Sequence, residues 1–148
     1  MAACPPGEPG ESVGHRTLSH NADVIIEGWG PSLAACLQAT AEGFVETFAT
    51  DLDGPASRPV GFAFESGSGD ELLVALLEEI LSVVEVFGVV PVNIRVEATE
   101  SGGVAGFFDV VPAGDVELVG PMPKGVSRKD LAVTHRRSGW TGRATIKV

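Results

Sequence analysis

The segment SHNADVIIEGWG, residues 19–30, decides how the chain is read. Val24, Ile25 and Ile26 are β-branched and suit a pleated sheet. His20 and Asp23 stand three residues apart at the mouth of that apolar run. Residues 15–29 therefore read as a hairpin, or as a strand pair broken near His20. Gly28-Trp29-Gly30-Pro31 breaks the run, and Ser32 follows as a helix N-cap.

Working outward, Leu33, Leu37, Ala41, Phe44 and Phe48 recur at spacings of three and four, which predicts an amphipathic helix over 33–48. Gln38, Glu42 and Glu46 form its polar face. DLDGPASRP is a loop, and VGFAFES, 60–66, is a short strand. The SGSGD turn ends in Asp70, an N-cap for a second helix over 71–87 that Gly88 closes. Its broad stripe from Leu72 to Phe87 predicts the more buried helix of the two. PVNIRVEAT then alternates with period two, and GVAGFFDVV, 103–111, follows a glycine turn, so the two make a hairpin. Residues 112–123 are irregular. GVSRKDLAV, 125–133, is a strand, THRRSG is a basic turn, and WTGRATIKV closes the chain. In that last strand Trp140, Ala144, Ile146 and Val148 share one face, while Thr141, Arg143, Thr145 and Lys147 share the other. The order predicts an α+β fold: a single two-layer domain with a mixed or antiparallel sheet and two helices packed on one face.

The chain of 148 residues suffices for one domain with a core but is marginal for two. Its formal net charge of -10 excludes general binding to a phosphate backbone, which needs clustered Lys and Arg. An RNA role is therefore indirect or confined to one local patch, and no strong direct nucleic-acid binding is expected. No apolar run reaches the roughly 18–20 residues of a membrane span. MAACPPGEPGESVG lacks the positive start and apolar middle of a secretory signal. Residues 1–13 are an expected disordered leader, 14–148 the folded domain, and the cytoplasm the expected location. Cys4 and Cys36 suggest neither a disulfide framework nor a zinc site.

A strand-end aspartate with a nearby histidine can bind a metal or act as an acid–base pair. One carboxylate and one imidazole fall short of either site, and a capping role for Asp23 with a backbone-bonded His20 fits the same residues. No dinucleotide fingerprint, phosphate loop, nucleophile elbow or HExxH occurs. The basic clusters at 124–129 and 135–137 read equally as solvated strand edges.

Taken in order, these segments resemble the archease family, small protein cofactors of the RtcB-type RNA ligase in tRNA splicing and RNA repair. The family's His-Thr-Ala-Asp opening is matched by His20-Asn21-Ala22-Asp23, and its Gly-Pro-Thr-Leu helix start by Gly30-Pro31-Ser32-Leu33. Ala41-Glu42-Gly43-Phe44, the Leu72 to Leu81 core, the strand from Lys124 to Lys129 and Gly139-Trp140 follow in the family's order. The resemblance covers about residues 14 to 148. It implies a protein that is not itself a catalyst but promotes guanylylation and multiple turnover of the ligase. It also implies a divalent cation, typically calcium, held by the early Asp and a penultimate Asp.

Three departures bear on that site. Asn21 stands for Thr, Arg128 and Lys129 stand for Tyr and His, and Lys147 stands for the penultimate Asp. A protonated lysine has donors and no acceptor, so Lys147 cannot ligate calcium. By resemblance the metal residues are Asp23 and Val148, and His20, Lys124, Ser127 and Lys147 complete the corner that faces the partner ligase. The expectation is that the Lys147 ammonium replaces the cation beside Asp23. Two alternatives remain: a divergent archease-fold binding or chaperone-like module that has lost the metal and the ligase role, and a small metal-dependent hydrolase using His20 and Asp23.

Overall fold

The computed structural model describes residues 12–20, 23–50, 58–65, 67–137 and 139–148, with the side chains of Ser19 and His20 excepted. The leader up to residue 11, Cys4, and the 51–57 part of the expected loop lie outside the described residues.

Strands β1 (Gly14–His20) and β2 (Asp23–Gly30) form the expected antiparallel pair, with His20 opposite Asp23. Helix α1 (Leu33–Glu46) starts where Ser32 Oγ accepts the Ala35 N–H at 3.1 Å. It ends at Thr47, and Phe48 folds back so that its ring meets Phe44 edge-on, with centroids 5.6 Å apart. A two-residue strand β3 (Ala49–Thr50) and then β4 (Arg58–Phe64) follow. Helix α2 (Gly69–Phe87) opens on a capping box and closes on Gly88, whose φ of 64° is the left-handed conformation that glycine adopts without strain. In the box, Ser68 Oγ accepts the Glu71 N–H and Glu71 Oε1 accepts the Ser68 N–H. The cap is Ser68 rather than Asp70. Asp70 instead accepts the Val133 N–H at 2.7 Å, tying α2 to a strand far along the chain.

The rest is β: β5 (Val89–Ala98), β6 (Val104–Pro112), a 3-10 turn at Ala113–Asp115, β7 (Glu117–Leu118), β8 (Gly125–Arg136) and β9 (Gly139–Lys147). The expected α+β class is what the structure shows, and all strand pairs among the described residues are antiparallel. The strands divide over a four-stranded sheet ordered β1-β2-β9-β8, a three-stranded sheet ordered β4-β6-β5, and the small β3-β7 pair.

The helices pack on the inner face of the four-stranded sheet and also meet β5 of the other sheet. One apolar core joins Ile26, Ala144 and Ile146 of the larger sheet, both helices, and Phe62, Phe108 and Ile94 of the smaller. Phe62 stacks on Phe108 with ring centroids 4.8 Å apart. The expectation that α2 is the more buried helix is corrected: α1 buries eight of 14 residues and α2 nine of 19. The reason is that α1 has a strand on its polar side as well. Gln38 Oε1 accepts the Val96 N–H of β5 at 3.0 Å, and burial pushes the Glu42 carboxyl above its ordinary value. On its other side α1 rests on Gly28 and Gly142, cross-strand partners in β2 and β9. A Cβ at Gly28 would lie 2.1 Å from Thr40 Oγ1 and 2.7 Å from Thr40 N, so this close approach needs glycine.

Candidate functional site at one end of the four-stranded sheet

Register places the expected corner. Val24 pairs with Ile146, so Asp23 and Lys147 stand one position beyond that pair at the same end. Lys147 in turn pairs with Gly125, and His20 with Asp23. His20, Asp23, Lys147 and Gly125 thus occupy one row across β1, β2, β9 and β8. Residues directly opposite in an antiparallel sheet share a face. Val24, Ile146 and Val126 of the next row turn inward to the core, so Asp23 and Lys147 lie on the outer face, and both are exposed. The Lys124 N–H donates to the Lys147 carbonyl at 2.7 Å, which extends the β8–β9 pairing to the same corner. The Val148 side chain is half-buried and packs on the core.

Ser127 sits two rows in, opposite Thr145, and begins a bulge. Between the pairs Ser127–Thr145 and Ala132–Arg143, β8 advances five positions while β9 advances two. Ser127 Oγ accepts the Lys129 N–H at 3.2 Å, and Asp130 takes a φ of 64°. That conformation is uncommon for a residue with a side chain, though aspartate tolerates it better than most. Arg128 leaves the sheet and meets Glu78 of α2 at 3.4 Å. Arg128 and Leu131 also line a cavity of about 140 Å³ with Asp70, Glu71 and Val74.

The structure therefore brings Asp23, Lys124, Ser127, Lys147 and Val148 to one sheet end, with the His20 backbone in the same row. The ion pairs among the described residues do not include one between Asp23 and Lys147. Nor does any group of three or more His, Cys, Asp or Glu among them offer a metal cage. A hard divalent cation such as calcium takes six to eight oxygens. Among the described residues, Asp23 brings one carboxylate and Lys147, opposite it in register, an ammonium, and that donor set does not fit such a cation.

A second charged row was not read from the sequence. Glu27 of β2 lies between Arg16 of β1 and Arg143 of β9 in register. Its carboxylate meets Arg16 Nε at 2.5 Å and Arg143 Nη1 at 2.8 Å, with the Glu27 side chain only 14% exposed. The alternation that put Arg143 and Lys147 on one face of β9 was the available signal; the strand order that sets Glu27 beside Arg143 was not in it. Cys36 is buried beneath the sheet, its thiol bonded to the Gly28 carbonyl, and burial pushes its pKa up to about 11. It is an inert core thiol at neutral pH.

The sequence comparisons agree with this architecture. The model of the Archease protein family matches residues 15–148. Two curated proteins named "Probable protein archease", from Mycobacterium tuberculosis strains CDC 1551 / Oshkosh and ATCC 25618 / H37Rv, are each 35% identical over 145 residues. Each alignment covers 96% of this chain and 79% of the relative. The solution structure of Methanobacterium thermoautotrophicum protein 1598 superposes with a TM-score of 0.74 over 91% of this chain and 99% of that one, at 15% identity, a likeness of fold.

Proposed function

The chain belongs to the archease family, and from that premise we propose that it is a non-catalytic protein cofactor of an RtcB-type RNA ligase. In this reading it promotes guanylylation of the ligase and sustains multiple turnover in RNA repair or tRNA splicing. The observation that carries the reading is the family match over residues 15–148. The gathering of Asp23, Lys124, Ser127, Lys147 and Val148 at one sheet end, with His20 in the same row, gives it a place to act. That end is the face we assign to the ligase. In this reading Lys147 stands in for the divalent cation, bringing a positive charge to the row that Asp23 occupies.

The test is ligation by the RtcB-type ligase of the same organism, with and without this protein. Stimulated multiple turnover is expected, with Asp23→Ala losing most of it. An active ligase that gains nothing from the folded protein would end this reading and leave a binding or chaperone-like module on the same fold.

A further inference from the structure

The charges of this chain are strongly segregated. All its Lys and Arg except Arg58 and Arg95 fall in residues 14–30 and 124–147, the segments that build the four-stranded sheet. Those segments hold eight cations and three acids, while the rest of the chain holds two cations and 17 acids. An acidic protein thus carries one sheet built from segments of net positive charge, and on the outer face itself Arg16, Arg136, Arg143 and Lys147 outnumber Asp23 and Glu27 by two. At physiological salt the Debye length is about 8 Å, so the acidic remainder is screened from much of that sheet.

The outer face of the sheet can be read row by row from the register. The end row holds Asp23 and Lys147; the next holds Leu18, Ile25, Thr145 and Ser127. Arg16, Glu27 and Arg143 make the third, Trp29, Thr141 and Thr134 the fourth, and Arg136 the last. Charged rows therefore alternate with rows of hydroxyls and apolar groups, and successive charged rows lie about 13 Å apart. Both helices sit on the opposite face. The Trp29 ring packs against Gly14, where a Cβ would come within 2.9 Å of it. The Thr141 Oγ1 beside it in register is buried without a hydrogen-bond partner among the described residues.

We propose that this outer face binds a single-stranded RNA segment, with Arg136, Arg143 and Lys147 on the phosphates and Trp29 as a stacking surface. Guanidinium, ammonium and hydroxyl donors around an aromatic ring are the groups that hold a single strand without reading its sequence. An aromatic ring among cations and hydroxyls offers a nucleobase a stacking partner beside its phosphates. The charge map carries the proposal, and the choice of RNA over DNA rests on the ligase reading above. The patch is local, so binding is weak and strongly salt-dependent.

The experiment is fluorescence anisotropy with a labelled, unstructured RNA of about 15 nucleotides, a length in the range such sites cover. Contacts to three or four phosphates predict a roughly 20- to 50-fold loss of affinity between 50 and 200 mM salt. Arg136→Glu with Lys147→Glu should weaken binding at least tenfold; both residues are exposed and take part in no ion pair among the described residues. Arg58→Glu with Arg95→Glu makes the same change in net charge on the other sheet and should have little effect. Trp29→Leu should cost about fivefold or more with the salt slope unchanged. Equal losses from the two charge reversals, or no saturable binding at 50 mM salt, would overturn the proposal. Equal binding of polyglutamate, lost on the same reversal, would reassign the face to an acidic protein. Stimulated ligase turnover without RNA binding would overturn this inference alone, and RNA binding without stimulation would overturn the ligase reading alone.

Discussion

Gly28→Ala tests how the helix is seated on the sheet. The new methyl would stand 2.1 Å from Thr40 Oγ1, 2.7 Å from Thr40 N and 2.8 Å from Thr40 Cα. A change of rotamer relieves the first contact only. The other two are main chain in the middle of α1, so the helix must lift off β2. Lifting it by 0.5–1 Å forfeits roughly a quarter to a half of the dispersion energy along the seam. It also stretches the bond from Cys36 Sγ to the Gly28 carbonyl. Overpacking of this kind costs about 1–3 kcal/mol, and a backbone obstacle puts it near the top, about 3 kcal/mol. For a chain of this size that lowers Tm by roughly 6–12 °C. The matched control is Gly61→Ala in β4, whose Cβ would have only Gly106 O nearby, at 3.9 Å. There the loss of unfolded-state freedom should stabilise by about 0.4–1 kcal/mol. Thermal and urea melts followed by circular dichroism separate the two signs. Adding Thr40→Ala should restore less than half of the loss. If Gly28→Ala melted with the wild type, or if Thr40→Ala restored it fully, the account of a helix held against bare backbone would be wrong.

Other outcomes follow from the same geometry. Calorimetric titration with calcium should give no saturable binding to the native chain, whereas Lys147→Asp should create a site that Asp23→Ala abolishes. Tight binding to the unaltered protein would contradict the donor set described above. Ser68→Ala removes half of the capping box and should cost about 1 kcal/mol, with Asp70→Ala acting instead through the lost Val133 bond. Cys36 is held protonated up to about pH 11 in the fold, against 9.0 for an ordinary thiol. Above pH 9 the unfolded chain therefore releases a proton that the folded one keeps, and stability falls as pH rises from about 9 to 11. Urea midpoints should decline across that window and flatten in Cys36→Ala. Labelling of the native protein by iodoacetamide at pH 8 should be unchanged by that substitution.

Local chemistry made much of the fold legible. Ser32 and Gly88 cap where propensity puts them, and the alternation of the last strand correctly sorts Ala144 and Ile146 inward from Arg143 and Lys147 outward. The β5–β6 hairpin is announced by the glycines between two alternating runs. The failures are long-range. Asp70 is expected as the cap because Gly67-Ser68-Gly69 looks like turn chemistry, and nothing in the sequence shows that Asp70 instead reaches Val133, 63 residues away. The two-residue pair β3–β7 leaves no periodic signal at all. Gln38 and Glu42 read as a solvated face because the sequence does not say that β5 will lie there. The candidate site residues come from the resemblance alone; that His20, Asp23 and Lys147 share one row is a property of strand order, which no local pattern encodes.

The handling of strand edges has a further consequence. An open edge offers unpaired amides on which another chain can crystallise a strand of its own. Two of the edges here are occupied by side chains from the protein itself. Gln38 takes the Val96 amide on β5, and Asp70 takes the Val133 amide on β8, just past a bulge that already bends the edge away from straight pairing. Each helix thus lends one polar residue to guard a sheet, so that the contacts fixing the helices in place also keep neighbouring molecules from joining as strands.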